Sequence, residues 1–457
     1  MIICRWRKIS LCSLFPLLTL LIILWPGCKS TAPQYVFLIV IDTCRADHLS
    51  CYGYEHPTTP GIDLLASNAV RFSHAISQSP WTLPSVASLL TSTYPSIHGA
   101  TGTIKEGFHR LEHGTPAALI LQREGYLTQA FINNSFFYPG FGLNAGFTGY
   151  DNFRCSNSRI RNAGETCRLA VDWLERVMGE DKKRIFLFLH LFDPHLDYAP
   201  PPPFQSKFIP PGIETSFSGP VSLDTVTAIG REGGTTLGNL TYIISQYDGE
   251  IAYCDHVLGS FFEQLKRIGL YEEALIILTS DHGEEFLEHR GLDHGHTLFD
   301  ELIHVPLIIK MPGSEKAGNV IPDQVRLIDV MPTIFDILRL SLPDDFKGRS
   351  LLPLIREGES GTDLPAFSEA LLYGAEKKSL RDRGYKFIFN PSGRQHLLFD
   401  LSKDPGEQND LSGSMPGKST KMLSQLKGFL AEGHAPGKKV ALDKETLENL
   451  RSLGYLD

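Results

Sequence analysis

Two carboxylates in this chain stand where apolar runs stop. Asp42 follows Val36-Phe37-Leu38-Ile39-Val40-Ile41, and Asp281, joined to His282, follows Ala274-Leu275-Ile276-Ile277-Leu278. Each run predicts a buried strand that releases a polar side chain as it leaves the sheet, the edge where open α/β sheets bind ligands. An O/N donor set of this kind suits Zn²⁺, Mn²⁺ or a harder divalent ion such as Ca²⁺. Between the two carboxylates lies Pro80-Trp81-Thr82-Leu83-Pro84-Ser85, a hydroxyl just ahead of an apolar helical stretch. A threonine hydroxyl needs activation to act as a nucleophile, and a divalent ion supplies it by lowering the pKa of an oxygen it binds. Thr82 is therefore the candidate nucleophile and a fourth ligand beside Asp42, Asp281 and His282. Taken alone, the same threonine reads as a helix N-cap.

His195, in Asp193-Pro194-His195, and His294 and His296, in Asp293-His294-Gly295-His296, follow other predicted strands. His195 and His294 are candidates for protonating a leaving group, and His296 for binding an anion. Asn133 and Asn134 end another strand. Asn134 is assigned to substrate binding as a donor to an oxyanion, against the commoner role of such residues in turns.

The elements that must position these groups alternate, strand with helix, as in a mostly parallel α/β sheet. Strands are predicted at 36–41, 128–132, 185–191, 274–279 and 305–309. Helices are predicted at 60–67, 83–90, 116–123, 165–177, 247–268 and 329–338. A stretch from Pro200 to about Asn239, rich in Pro, Gly, Ser and Thr, reads as a surface insertion. Beyond Gly348 short alternating segments, Tyr385–Phe389 and His396–Phe399, predict a small antiparallel sheet, and 447–455 a short closing helix.

The chain has 457 residues and a formal net charge of -9. With no basic stretch to offset it, that charge argues against nucleic acid as a partner. Arg5, Arg7 and Lys8 precede an apolar run to Trp25, the form of an export signal. Residues 1–30 are read as a signal peptide or a lipoprotein or membrane anchor, with Cys28 the candidate lipidated residue. The catalytic body is then tethered to the membrane outside the cytoplasm. Cys155 and Cys167 flank a polar loop and are candidates for a disulfide, or else two free thiols. Cys254 falls on the apolar face of a helix and reads as core filler.

Ordered motifs run the length of the chain: Ile41-Asp42-Thr43-Cys44-Arg45-Ala46-Asp47-His48, Leu89-Leu90-Thr91-Ser92, Tyr94-Pro95-Ser96-Ile97-His98-Gly99, Ser280-Asp281-His282-Gly283-Glu284 and Val305-Pro306-Leu307-Ile308. By these it resembles the sulfatase family of the alkaline phosphatase superfamily. The resemblance implies an alkaline-phosphatase-like sandwich: a large, mostly parallel central sheet flanked by helices, with a small C-terminal antiparallel subdomain. It divides the chain into a leader at 1–30, a catalytic domain at 34–347 and a C-terminal subdomain and tail at 348–457.

The departures from the family pattern are specific. Where the usual members carry Cys-x-Pro-Ser-Arg, this chain has Thr82-Leu83-Pro84-Ser85-Val86, so no formylglycine is expected. Thr43 replaces the second aspartate of the usual pair, and the usual lysine has no clear match near Thr297. Thr82 instead resembles the threonine of phosphotransferring and phosphodiesterase members. The implied function is a metal-dependent hydrolase or transferase of phosphoesters, acting by in-line attack of Thr82 on a glycan, lipid-headgroup or small-molecule ester. Two alternatives stand beside it: a sulfuric ester hydrolase working without formylglycine, and a non-catalytic envelope binding protein that keeps the fold.

Overall fold

In this computed structural model the described residues are 32–153, 161–179, 183–358, 364–393, 395–434, 436–453 and 455. The central sheet has eight strands: β1 (Tyr35–Ile41), β2 (Val70–Ile76), β3 (Tyr126–Ile132), β4 (Gly149–Asn152), β5 (Arg184–Leu191), β6 (Leu275–Ser280), β7 (His304–Lys310) and β8 (Val320–Arg326). Their order across the sheet is β8-β2-β7-β6-β1-β5-β3-β4. All neighbours run parallel except β7, which is antiparallel to both β2 and β6.

The central strands are apolar over most of their length because both faces are covered. Alternate residues serve different layers. Val36, Leu38 and Val40 of β1 join one hydrophobic core, with Phe186, Phe188, Leu275 and Ile277 of its neighbours. Phe37, Ile39 and Ile41 face the opposite core, with Leu187, Leu189, Ile276 and Leu278. This is the two-sided sandwich expected from the sequence, with helices on both faces. The C-terminal antiparallel sheet is also present: β9 (Ala366–Ser368), β10 (Lys378–Asp382), β11 (Tyr385–Asn390) and β12 (Gln395–Asp400), in that order. Phe387 and Leu398 pack there on Met422 and Leu426 of the helix Pro416–Leu430.

Several elements differ from the sequence reading. The long helix begins at Leu237, not Tyr247, because Thr236 caps it by accepting from the amide of Asn239 at 3.2 Å. Within the Pro- and Gly-rich insertion lies a further helix, Leu223–Glu232, which buries Val226 and Ile229 one turn apart. Strands β2, β4 and β8 are not predicted from the sequence. Half-buried Arg71, Ser73 and His74 interrupt the apolar run of β2, as befits its place near the sheet edge. The closing helix is Lys444–Ser452, capped by Asp443, and Tyr455 lies beyond it. The readings of residues 1–30 and of a Cys155–Cys167 bridge fall on Cys155 and a leader outside the described residues. No helix among the described residues is long and apolar enough to cross a membrane.

Candidate active site

Register brings the strand-end groups level. Ile41 of β1 pairs with Leu191 of β5 on one side and with Ser280 of β6 on the other. The next residues, Asp42 and Asp281, therefore leave the sheet side by side. The strand exit is held tightly: the Asp42 amide donates to Leu191 O at 2.9 Å, and the Tyr247 hydroxyl donates to Thr43 O at 2.7 Å. Thr43 follows with φ 53°, a left-handed conformation unfavourable for a β-branched residue and typical of functional turns.

Asp42, Asp281 and His282 are fully buried, and one ligand atom from each lies within 4.8 Å of the others. Asp42 Oδ1 and Asp281 Oδ2 have no hydrogen-bond partner among the described residues. Burial, then the neighbouring charge of Asp281, pushes the Asp42 carboxyl well above the usual carboxylate range. For Asp281 burial acts in the same sense, but His282 and His190 outweigh it and hold the pKa at about 2.

Two buried carboxylates this close are unfavourable without a cation between them, and two orphaned oxygens mark where one fits. His282 completes the set. Its Nδ1 lies 3.0 Å from Gly283 O, so Nδ1 carries the hydrogen and Nε2 presents its lone pair, the usual arrangement for a metal-binding histidine. Nε2 is 3.5 Å from Asp42 Oδ1 and 3.7 Å from Asp281 Oδ2. The residues present fit a divalent ion, and Asp42, Asp281 and His282 would hold it.

Thr82 enters from the other side. The helix Thr82–Thr91 is buried along its whole length, and Trp81 precedes it in an extended conformation. Thr82 is thus the first helical residue and not the cap, and its side chain makes no capping bond. Its Oγ1 lies 3.3 Å from His282 Nε2. Ser85, one turn on, donates to Asp281 O at 2.6 Å, as does Ser77 from the end of β2. These two bonds hold the start of the helix against the end of β6.

Asn134 Nδ2 donates to Asp42 Oδ2 at 2.9 Å, while its Oδ1 accepts from the Phe136 amide at 2.9 Å. It orients the carboxylate and leaves Oδ1 of Asp42 free to bind a cation. Asn133 is engaged elsewhere: its side chain bonds Thr166 and Arg161. The ring of His294 lies 4.5 Å from that of His282, and its Nδ1 bonds Asp293 at 2.8 Å and Glu284 at 3.1 Å. Burial opposes protonation of His294, but those two carboxylates outweigh it and raise its pKa well above the usual value. His195 has no such partner, and burial lowers its pKa to about 3. His296 stands a shell further out, paired with Glu285 at 2.8 Å.

Three groups here escaped the sequence reading. His190, on β5, points at both carboxylates, with Nε2 at 3.6 Å from Asp281 and 3.9 Å from Asp42. Neither of its ring nitrogens has a hydrogen-bond partner among the described residues. An imidazole within the apolar run Ile185-Phe186-Leu187-Phe188-Leu189-His190 was the available signal. Glu284 holds both His294 and the Tyr198 hydroxyl, the latter at 3.0 Å. Tyr455 touches His195 and His294, and no local pattern marks it.

The strand ends of this α/β sheet thus gather two carboxylates, an imidazole and a helix-borne hydroxyl, a donor set that could hold a cation. Residues 34–340 match the family model described as Sulfatase, and residues 288–434 the model described as N-sulphoglucosamine sulphohydrolase, C-terminal. The chain belongs to the sulfatase family and with it to the ester hydrolases.

It is similar to an arylsulfatase of Clostridium perfringens, at 24% identity over 91% of this chain and 99% of that one. It is equally similar, at 24% identity, to the ulvan-active sulfatase of Formosa agariphila, over 84% and 78% of the two chains. The solved phosphonate monoester hydrolase of Agrobacterium radiobacter shares the fold, with a TM-score of 0.71 at 21% identity over 88% of this chain and 96% of that one. A protein solved in complex with its substrate D-glucosamine-2-N,6-O-disulfate gives 0.73 at 19% identity, over 88% and 98%.

Proposed function

We propose that this chain is a metal-dependent ester hydrolase of the threonine branch, in which Thr82 Oγ1 attacks the tetrahedral centre of a phosphoester in line with the leaving oxygen. The observation that supports it most is the position of that hydroxyl: 3.3 Å from His282 Nε2, beside Asp42 and Asp281, with no capping duty to explain it. A bound divalent ion would acidify the hydroxyl and balance the charge of the two carboxylates.

The protein's own groups do the rest. Asn134 turns Asp42 so that one oxygen faces the site. Ser77 and Ser85 hold the Thr82 helix against Asp281. His294, kept protonated by Asp293 and Glu284, gives a proton to the departing oxygen. Water or an acceptor alcohol then attacks phosphorus and displaces Thr82 Oγ1, and its proton passes to His294, which the first step left without one. Arg5, Arg7 and Lys8 with the apolar run behind them support a catalytic body held outside the cytoplasm.

A second reading, sulfate-ester hydrolysis by unmodified Thr82, is favoured by relatives that carry the name sulfatase across nearly the whole chain. The test is one set of assays. Purified protein is given a phosphodiester, a phosphomonoester and an aryl sulfate with Mn²⁺, Zn²⁺ or Ca²⁺, beside Thr82→Ala. A phosphodiester or phosphomonoester as best substrate, lost in Thr82→Ala, supports the first reading. Aryl sulfate as best substrate supports the second. Turnover that survives Thr82→Ala rejects both. No turnover and no bound metal returns the chain to a binding role.

A further inference from the structure

The reacting groups are shut away from solvent. Asp42 and His282 are 0% exposed, Thr82 and His294 1%, and His195 5%. The group that closes over the two histidines is Tyr455. Its hydroxyl lies 2.5 Å from His195 Nε2 and 3.2 Å from His294 Nε2. Its ring packs against Phe136 at 4.8 Å.

The hydrogens in this chain of bonds can be assigned from its two ends. His195 Nδ1 faces Leu196 O at 2.7 Å, and a carbonyl only accepts. That nitrogen therefore carries the hydrogen, Nε2 accepts, and the Tyr455 hydroxyl donates to it. His294 Nδ1 donates to the Glu284 carboxylate, with the Asp293 carboxylate paired beside it. With the phenolic proton committed to His195, His294 Nε2 donates to the Tyr455 oxygen. That oxygen thus takes the bond which, in the reaction proposed above, the leaving oxygen of the substrate must take. A substrate cannot reach the two imidazoles while it is there.

The segment carrying Tyr455 is a short one. Its helix, Lys444–Ser452, buries Thr446 and Leu450, and Leu450, Leu453 and Tyr455 join the hydrophobic core beside the site. A single short element can open locally at a lower free energy than the whole fold needs to unfold.

We propose that the helix Lys444–Ser452 and Tyr455 form a strap that closes the catalytic centre, Tyr455 occupying the leaving-group position as an internal stand-in that substrate must displace. The proposal rests on the hydrolase reading for what the occupied position is, and on the geometry alone for the occupation. The intact protein, Tyr455→Ala and Tyr455→Phe are treated with diethyl pyrocarbonate, and carbethoxylation of His195 is followed by mass spectrometry. This readout needs no turnover. Labelling of His195 is expected to speed up by about tenfold in Tyr455→Ala, as its capped nitrogen opens to solvent. In parallel, KM for the best ester substrate is expected to fall by about tenfold, because closed protein no longer competes with substrate.

Tyr455→Phe keeps the ring in place and removes only the hydroxyl, and it decides the matter if Tyr455→Ala fails to fold. Equal labelling of His195 in the intact protein and in each folded variant overturns the strap. So does a fall in kcat/KM in Tyr455→Phe with His195 still protected, which would place Tyr455 within the catalytic machinery. Absence of turnover in all three proteins, with faster labelling in the variants, overturns the hydrolase reading and leaves the strap standing.

Discussion

Asn134 and Asp42 are 92 residues apart in the chain and joined by a 2.9 Å hydrogen bond that decides how the site is built. With Oδ2 of Asp42 taken by the amide, Oδ1 is left near Asp281 and His282 with no hydrogen-bond partner among the described residues. A residue of this kind acts through the carboxylate it holds. Replacing Asn134 with Ala is expected to weaken binding of Mn²⁺ or Zn²⁺ by about 10- to 100-fold, the usual cost of removing an outer partner of a metal ligand. Isothermal titration calorimetry of the two proteins measures it directly. Unchanged affinity would mean that Asp42 needs no such support.

Thr82→Ala separates the chemical role of this residue from a structural one. A capping threonine lost to alanine costs about 1 kcal/mol, but Thr82 is the first helical residue and makes no capping bond. Stability in urea is expected to fall by about 1 kcal/mol, from the buried methyl group lost and not from a cap. Turnover is expected to fall at least about 100-fold, as for loss of a single transition-state contact. A large loss of stability with modest loss of rate would reverse the assignment.

A cation held between the paired carboxylates would make the folded protein more stable than the metal-free form. A ligand at about 100 times its Kd adds about 2.7 kcal/mol to the folded state. Adding Mn²⁺ or Zn²⁺ to chelator-treated protein is expected to raise Tm by several degrees, and Asp281→Asn to abolish most of that rise. Scanning calorimetry with and without metal reports both.

Away from the site, Glu369 ties the first helical turn after Tyr94 to the C-terminal sheet. It accepts from the Ser96 amide at 2.8 Å and from Lys378 at 2.6 Å. Burial opposes its charge, but Lys378 and Ser96 outweigh burial and lower its pKa. A depressed carboxylate contributes stability above its unfolded pKa of about 4.3 and loses it as pH falls through the folded value. The intact protein is expected to lose more stability than Glu369→Gln between about pH 5 and pH 3, as measured by urea unfolding. Parallel acid limbs in the two proteins would contradict this.

Tyr385–Asn390 shows why much of the fold was legible: Tyr385, Phe387 and Phe389 recur at a two-residue period, and that period announces a strand. The unbroken apolar runs behind β1, β5 and β6 did the same for a sheet covered on both faces. Strand β2 was not legible, because its polar positions serve contacts made only in the assembled fold: Arg71 lies over the Tyr52 ring and His74 beside His304 of β7. The direction of β7 was equally hidden. An apolar strand reads alike in either sense, and its antiparallel course follows from what it pairs with.

By itself the sequence determined the site's ingredients. Side chains released at the ends of buried strands, and a hydroxyl opening a buried helix, are local facts of composition and period. Only the tertiary structure decided their relations. The pairing of Ile41 with Ser280 sets Asp42 beside Asp281, Asn134 turns one carboxylate, His190 faces both, and Tyr455 reaches His195 from 260 residues away. The physical reason is that hydrogen bonds and charge pairs act over a few ångströms in space, and separation along the chain carries no record of which distant side chains the packed sheet will bring within that reach.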